Sequence, residues 1–218
     1  THSLIHDDLP AIDNDDYRRG RLTTHKVYGE AMGVLSGVSL LNYAYETMLK
    51  TFEMTSDADR VIRALKIMSE KTGIHGMLGG QSVDVENDGK EISREMLDYI
   101  YEHKTSALIE ASMMAGAVLG GADEEQTALI EKAASAIGMA FQIQDDILDV
   151  TSTSQELGKP VHSDEKNHKV TYVTLFGVEK ASEQVLQFSE QAQSILENLS
   201  NKNKFLTALI MEMASRRK

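Results

Sequence analysis

Apolar residues recur with a helical period along almost the whole chain, and polar or glycine-containing breaks divide it into segments. Residues 1–9 read as the C-terminal end of a helix, because Pro10 lacks a donor and disfavours helix at Leu9. Residues 10–25 read as irregular, with Gly20 as a breaker. Val27, Ala31, Val34, Leu35, Val38, Leu41, Leu49 and Phe52 predict a long helix over 27–53. Gly29, Gly33 and Gly37 fall every fourth position in it, a stripe suited to close helix packing. Ser56-Asp57-Ala58-Asp59 reads as a capping box for a helix over 57–71. A further helix follows over 72–85, where Gly73, Gly76, Gly79 and Gly80 would weaken an exposed helix. They make sense where backbone approaches another helix or a ligand.

Ser93 is the expected N-cap of a helix or broken helix running to about 119, with Lys104-Thr105 interrupting its apolar run. Asp123 to Gln126 cap a long helix over 124–150, and residues 151–168 read as a loop. Helices over 171–176, 178–199 and 203–217 complete an all-α chain, with no strand-like alternation of any length. Scarce proline (Pro10 and Pro160) and 11 methionines agree with that class. A chain of 218 residues with 41% apolar content has enough material for one large core.

Cysteine is absent, which removes disulfides and thiolate chemistry. The formal charge of -12 argues against a nucleic-acid partner, which needs a basic surface. No signal peptide and no membrane-spanning apolar run is evident, so a cytoplasmic location is expected. Nucleotide-binding glycine fingerprints and zinc patterns are missing, and His6, His25, His75, His103 and His168 are too widely spaced for a local site.

The candidate chemistry lies in two acidic clusters. In the first, Asp7, Asp8, Asp13, Asp15 and Asp16 fall within ten residues and are followed at once by Arg18 and Arg19. In the second, Gln142, Asp145 and Asp149 share one face of the apolar segment Ile130, Ala133, Ile137, Phe141, Ile143, Ile147, Leu148. Like charges at i,i+4 repel, and burial raises their cost. A hard divalent cation removes the objection, because carboxylate oxygens hold it. Two such clusters on separate helices suit a bundle with metals in its interior. The arginine pair suits a diphosphate.

These residues resemble a short-chain trans-isoprenyl diphosphate synthase, near the bacterial farnesyl and geranyl diphosphate synthases. Asp7-Asp8-Leu9-Pro10-Ala11-Ile12-Asp13 with Arg18-Arg19-Gly20 matches the first aspartate-rich motif, and Asp145-Asp146-Ile147-Leu148-Asp149 matches the second. Residues 23–30, Gly79-Gly80-Gln81 with Asp84, Lys104-Thr105, Gly158-Lys159-Pro160 and Thr171-Tyr172 follow in the family's order, so the likeness covers the whole chain.

The resemblance implies an all-α isoprenoid synthase bundle around a central cavity, with residues 1–218 as one catalytic domain. It implies an enzyme that joins isopentenyl diphosphate to dimethylallyl or geranyl diphosphate, giving farnesyl diphosphate. Geranylgeranyl synthesis and a non-catalytic subunit of a heteromeric synthase are the alternatives. Three Mg²⁺ ions, or Mn²⁺ in their place, would bridge the allylic diphosphate to Asp7, Asp13 and Asp145, with Asp8 and Asp149 supporting the metal site. Arg18, Lys104 and Lys159 would hold the allylic diphosphate and Arg19 would face isopentenyl diphosphate. Gln81 belongs to the substrate-binding set, and Thr105 and Gln142 would flank the allylic cation. His2 and Ser3 would cap the hydrocarbon tunnel, and the two extra residues between Asp7 and Asp13 point to a short product. A homodimer is expected.

The chain departs from the family where Val38 follows Gly37 in place of an aspartate. The family's upstream Gly-Lys-x-x-Arg-Pro segment and early helices have no counterpart here. With Thr at position 1, the chain is expected to be the body of a longer protein.

Overall fold

The computed structural model of the chain describes residues 1–152, 169–199 and 203–215. They fall into two compact units: Thr1–Ala58 with Ser152, and Asp59–Thr151 with the residues from 169 onward.

In the first unit, α1 (His2–Asp7) stops where expected, and a compact turn follows it. In that turn the Asp13 N–H donates to the Asp7 carbonyl (2.9 Å), and Ile12 and Asn14 N–H groups donate to the Leu9 carbonyl. The region expected to be irregular contains a short hairpin, β1 (Tyr17–Arg18) with β2 (Arg21–Leu22). Its two-residue turn is Arg19-Gly20, with φ 54° and 74°. Positive φ at both central positions is the hairpin geometry that matches strand twist, and it favours glycine at the second.

The helix expected over 27–53 starts earlier and is broken. α2 (Thr24–Tyr28) ends at Gly29, whose φ of 87° turns the chain into α3 (Glu30–Leu49), and a 3-10 turn (Lys50–Glu53) follows. Of the glycine stripe, only Gly33 and Gly37 make close contacts. A Cβ on Gly33 would meet Leu9 at 2.8 Å, and one on Gly37 would meet the His6 ring at 2.0 Å. Thus α3 meets His6 of α1 and Leu9 just after it through its glycines, whereas Val34, Leu35 and Val38 of the apolar repeat are exposed.

The second unit is a helical bundle built on α4 (Ala58–Thr72), α5 (Met77–Glu86), α6 (Arg94–Ile100), α7 (Ala107–Leu119) and α8 (Glu124–Thr151). It is completed by α9 (Tyr172–Phe176), α10 (Val178–Glu197) and α11 (Lys204–Ser215). Its axis is α8. The Ile143 and Ile147 side chains share a core with Ala181 and Val185 of α10 and Leu97 of α6. Ala133, Ala136 and Ile137 pack with Ala192 and Leu196 of α10. Small residues at these places bring the helix axes close, and each buried isoleucine contributes about 1.5–3 kcal/mol.

Two expected caps are present. Ser93 Oγ accepts from the Met96 N–H, and Asp123 and Gln126 exchange side-chain and backbone bonds (2.8 and 3.1 Å). At the start of α4 the Thr55 hydroxyl accepts from Asp57 N–H. Gly73 and Gly76 of the glycine-rich stretch lie in a turn before α5, so that helix begins at Met77 and not at residue 72, with Gly79 and Gly80 inside it. No helix among the described residues is long and apolar enough to cross a membrane.

One ion network ties three helices of this unit. Lys71 Nζ of α4 lies 2.5 Å from Glu110 of α7 and 2.6 Å from Glu131 of α8. Burial opposes the charge on Lys71, but the hydrogen bonds and charges of the two glutamates outweigh it and raise its pKa. Glu110 is buried, so Lys71→Met leaves a carboxylate without its cation, at a cost of about 3–5 kcal/mol. Thermal unfolding near neutral pH is expected to fall by about 10 °C. A raised lysine pKa adds stability that is full below the ordinary lysine pKa and is lost as pH rises through the raised one. On the basic side, the gap between wild type and Lys71→Met is therefore expected to persist until strongly alkaline buffer. A gap that closes in mildly alkaline buffer, or no gap at neutral pH, would remove this assignment.

Candidate active site

The site in the second unit is built around an irregularity. Between α6 and α7 the helix widens into a π-turn, Tyr101–Ser106. Such turns carry one residue more than the α-helix allows and re-aim the side chains they hold. Here Ser106 Oγ donates to the Tyr101 carbonyl across five residues (3.3 Å). Two glycines let neighbouring helices approach it. A Cβ on Gly80 would sit 2.3 Å from the Lys104 backbone nitrogen, and one on Gly138 would sit 2.5 Å from the Ser106 Cα. Of the glycine-rich stretch, Gly80 therefore serves close backbone approach, and Gly138 on α8 has the same use without any sequence signal of it.

The π-turn presents Lys104 and Thr105 side by side. Lys104 Nζ donates to Asp84 Oδ2 of α5 at 2.6 Å. Thr105 Oγ1 donates to Gln142 Oε1 of α8 at 2.8 Å. The sequence placed Thr105 and Gln142 at one point, and the structure joins them directly. Lys104, assigned to a ligand, is held here by Asp84, which had no assigned role. A cavity of about 90 Å³ is lined by Asp84, Lys104, Thr105, Gln142, Asp146 and Lys169, among others. Lys169 was also missed, although it stands just before the Thr171-Tyr172 pair that was noticed. Gln81 is half-buried on α5.

Of the second acidic cluster, Asp145 is half-buried, while Asp146 and Asp149 are each only 2% exposed. A solvated helix face is therefore excluded for Asp149. Asp146 Oδ2 accepts from the Tyr101 hydroxyl (2.7 Å) and from the Tyr172 N–H (3.0 Å). The Tyr172 hydroxyl in turn donates to Asp98 in a short bond. Burial, then the Asp98 carboxylate, push the Tyr172 phenol far above its ordinary pKa, so it stays a donor.

In the first unit, the Asp13-to-Asp7 backbone bond draws two half-buried aspartates into one turn. Asp8 is buried and paired with Arg18: Nε and Nη2 both lie 2.6 Å from its Oδ1. Asp15 lies 3.7 Å from the same guanidinium. Burial opposes the Arg18 charge, but the Asp8 hydrogen bond and the surrounding carboxylates more than offset it, and its pKa rises. Asp8, grouped with the metal site from sequence, thus orients an arginine. Arg19 is exposed at the hairpin turn, and His2 and Ser3 are half-buried on α1. Lys159 lies outside the described residues.

Among the described residues no three acidic or histidine side chains form a metal cage. The candidate oxygens in each unit are few and hard: those of the Asp7–Asp13 turn in the first, and that of Asp145 in the second. Each suits a small hard cation such as Mg²⁺, which keeps waters and takes one or two carboxylates together with substrate phosphates.

Comparison with known proteins places this geometry. The family profile of polyprenyl synthetases matches residues 1–212. The chain belongs to the polyprenyl synthetase family. Among its curated relatives is a farnesyl diphosphate synthase from Geobacillus stearothermophilus, 43% identical over 198 residues, 91% of this chain and 67% of that protein. A heterodimeric geranylgeranyl pyrophosphate synthase large subunit from Arabidopsis thaliana is 41% identical, over 100% of this chain and 58% of its own length. Among solved structures, a geranyltransferase from Helicobacter pylori complexed with magnesium and isoprenyl diphosphate superposes with a TM-score of 0.85. It is 33% identical and covers 97% of this chain and 69% of its own. The all-α isoprenoid synthase fold expected from sequence is therefore the fold of this chain, which spans about three fifths to two thirds of the length of the curated relatives named.

Proposed function

We propose that the protein is a Mg²⁺-dependent trans-prenyltransferase that condenses isopentenyl diphosphate with dimethylallyl or geranyl diphosphate and releases farnesyl diphosphate. The observation that carries this reading is the π-turn. It sets a cationic Lys104 and the Thr105–Gln142 dipole pair on the cavity lined by Asp146, one residue from Asp145. The magnesium and isoprenyl diphosphate in the related Helicobacter pylori structure support it further. Residues 1–218 act as one catalytic domain in this reading.

Arg18 and Lys104, with Lys159, bind the allylic diphosphate, Arg19 faces isopentenyl diphosphate, and Gln81 belongs to the substrate-binding set. Asp8 fixes the Arg18 guanidinium so that it meets phosphate oxygens in a set orientation. Asp7, Asp13 and Asp145, with Asp149 in support, would hold Mg²⁺, which would supply positive charge to the leaving diphosphate. The C–O bond of the allylic substrate breaks, giving an allylic cation and diphosphate. The Thr105 and Gln142 oxygens face that carbon with the negative ends of their dipoles, which stabilises developing positive charge. The isopentenyl double bond attacks, forming the new C–C bond. A proton leaves the adjacent carbon for a diphosphate oxygen, restoring a double bond. No side-chain base is required.

The test is incubation of the protein with labelled isopentenyl diphosphate and each allylic partner, with products sized by chain length. Farnesyl diphosphate is expected with Mg²⁺ and none with a chelator. Metal-independent turnover, or no prenyl product from any partner, would overturn the reading.

Product length rests on His2. Its imidazole is half-buried, its Nε2 is buried with no hydrogen-bond partner among the described residues, and burial lowers its pKa, so the ring is neutral. A neutral ring at the end of a hydrocarbon site is a steric stop. His2→Ala is expected to raise the C20 to C15 product ratio by about tenfold, equivalent to ~1.4 kcal/mol of discrimination. An unchanged ratio would reassign the stop to another residue.

A further inference from the structure

Asp146 differs from its neighbours in what its carboxylate does. It lies one residue from Asp145, about 100° further round α8. It is nine-tenths buried and more, and its Oδ2 is shared by two donors from distant elements. One donor is the hydroxyl of Tyr101, the first residue of the π-turn. The other is the N–H of Tyr172, the first residue of α9. The two tyrosine rings lie 5.7 Å apart, and the Tyr172 hydroxyl closes a ring of contacts by donating to Asp98 of α6. One carboxylate thus fastens α6 with its π-turn, α8 and α9 together.

A π-turn is held only where neighbours over-determine it, because its geometry is less favourable than that of an α-helix. Here the neighbours are identifiable: Gly80 and Gly138 make room, Ser106 bonds back to Tyr101, and Asp146 anchors Tyr101 itself. Lys104 and Thr105 follow Tyr101 by three and four residues, so its anchoring sets where both of them point.

We infer that Asp146 is a positioning residue, not a metal ligand: through Tyr101 it holds the π-turn that aims Lys104 at Asp84 and Thr105 at Gln142. The inference rests on the prenyltransferase reading for its kinetic consequences but not for its structural ones. A ligand and a positioning residue differ in three readouts. A ligand shifts the Mg²⁺ activation midpoint when it is lost; a positioning residue does not. A positioning residue loosens the π-turn in the absence of metal and substrate. Its neutral isostere also keeps function in part, because the asparagine side-chain oxygen accepts both bonds whereas an amide is a poor metal ligand.

The experiment compares Asp146→Ala, Asp146→Asn and Tyr101→Phe in the protein, by amide hydrogen exchange without ligands and by turnover across a Mg²⁺ series. In Asp146→Ala, exchange of the amides of residues 101–106 is expected to accelerate at least about tenfold, while α10 amides stay protected. Its kcat is expected to fall roughly thirtyfold with the Mg²⁺ midpoint within about twofold of wild type, as displaced positioning groups cost rate without touching the metal. Asp146→Asn is expected to recover most of that loss. Tyr101→Phe removes a single hydroxyl, so it reports on the same anchor even if the alanine variant fails to fold. It is expected to loosen the same amides and lower kcat by a smaller factor. A Mg²⁺ midpoint displaced more than about tenfold in Asp146→Asn, or unchanged exchange over 101–106 in Tyr101→Phe, would overturn the inference. Absence of prenyl product from the wild type would instead count against the function, and the exchange data would still decide the anchor.

Discussion

Asp145→Ala is expected to lower kcat by about a thousandfold, ~4 kcal/mol of transition-state stabilisation, with the fold intact. The size follows from the proposed role, in which Asp145 would supply oxygen to the cation that draws charge from the leaving group. The intact fold follows from placement. Asp145 is half-buried, whereas the core of this stretch is made by Ile143, Ile147 and Leu148. Alanine is the best helix former, and its introduction removes the i,i+4 repulsion with Asp149. Melting temperature should therefore hold or rise slightly. Steady-state turnover at saturating Mg²⁺, with a thermal melt on the same sample, checks both halves. Turnover within tenfold of wild type would remove Asp145 from the metal set.

Gly80→Ala is the second large effect, and its sign separates local preference from tertiary demand. On an exposed helix the change would add up to about 1 kcal/mol of stability. At this place the new Cβ falls 2.3 Å from the Lys104 backbone nitrogen and 2.7 Å from His103. No flexible side chain is there to give way, so α5 or the π-turn must move. Overpacking of this kind costs about 1–3 kcal/mol. Because the obstructing atoms belong to the residues that carry Lys104, the movement also misplaces Lys104 and Thr105, and kcat is expected to fall about a hundredfold. A variant that melts higher than wild type with unchanged kcat would show that the π-turn does not depend on this contact.

How far the chain could be read in advance depended on how local each feature is. Caps at Ser93 and at Asp123–Gln126 are decided within four residues, and they stand where the sequence put them. The long α8 follows from its repeat, whereas the hydrogen bond between Thr105 and Gln142, two residues that the resemblance set beside the allylic cation, appears only in the structure. The π-turn was visible only as the interruption at Lys104-Thr105, because one extra residue in a helix scarcely alters hydrophobic periodicity. Asp146 was passed over because its two donors lie 45 and 26 residues away, and nothing near it in sequence announces them. The Arg19-Gly20 turn puts an arginine at positive φ, which residue preferences argue against. In α3 the repeat suggested a buried apolar face, but its close packing runs through Gly33 against Leu9 and Gly37 against His6, where the absence of a side chain is what matters.

Two carboxylate clusters from distant parts of the sequence are proposed to share one metal-bound diphosphate. A crystal structure of the protein with Mn²⁺ in place of Mg²⁺ and a non-hydrolysable allylic diphosphate analogue tests this directly. The expected anomalous peaks lie between the analogue's phosphates and the carboxylates of Asp7, Asp13 and Asp145, with Asp146 still bonded to Tyr101 and Tyr172. Peaks on one cluster alone, or Asp7 and Asp145 on surfaces with no ligand in common, would contradict it.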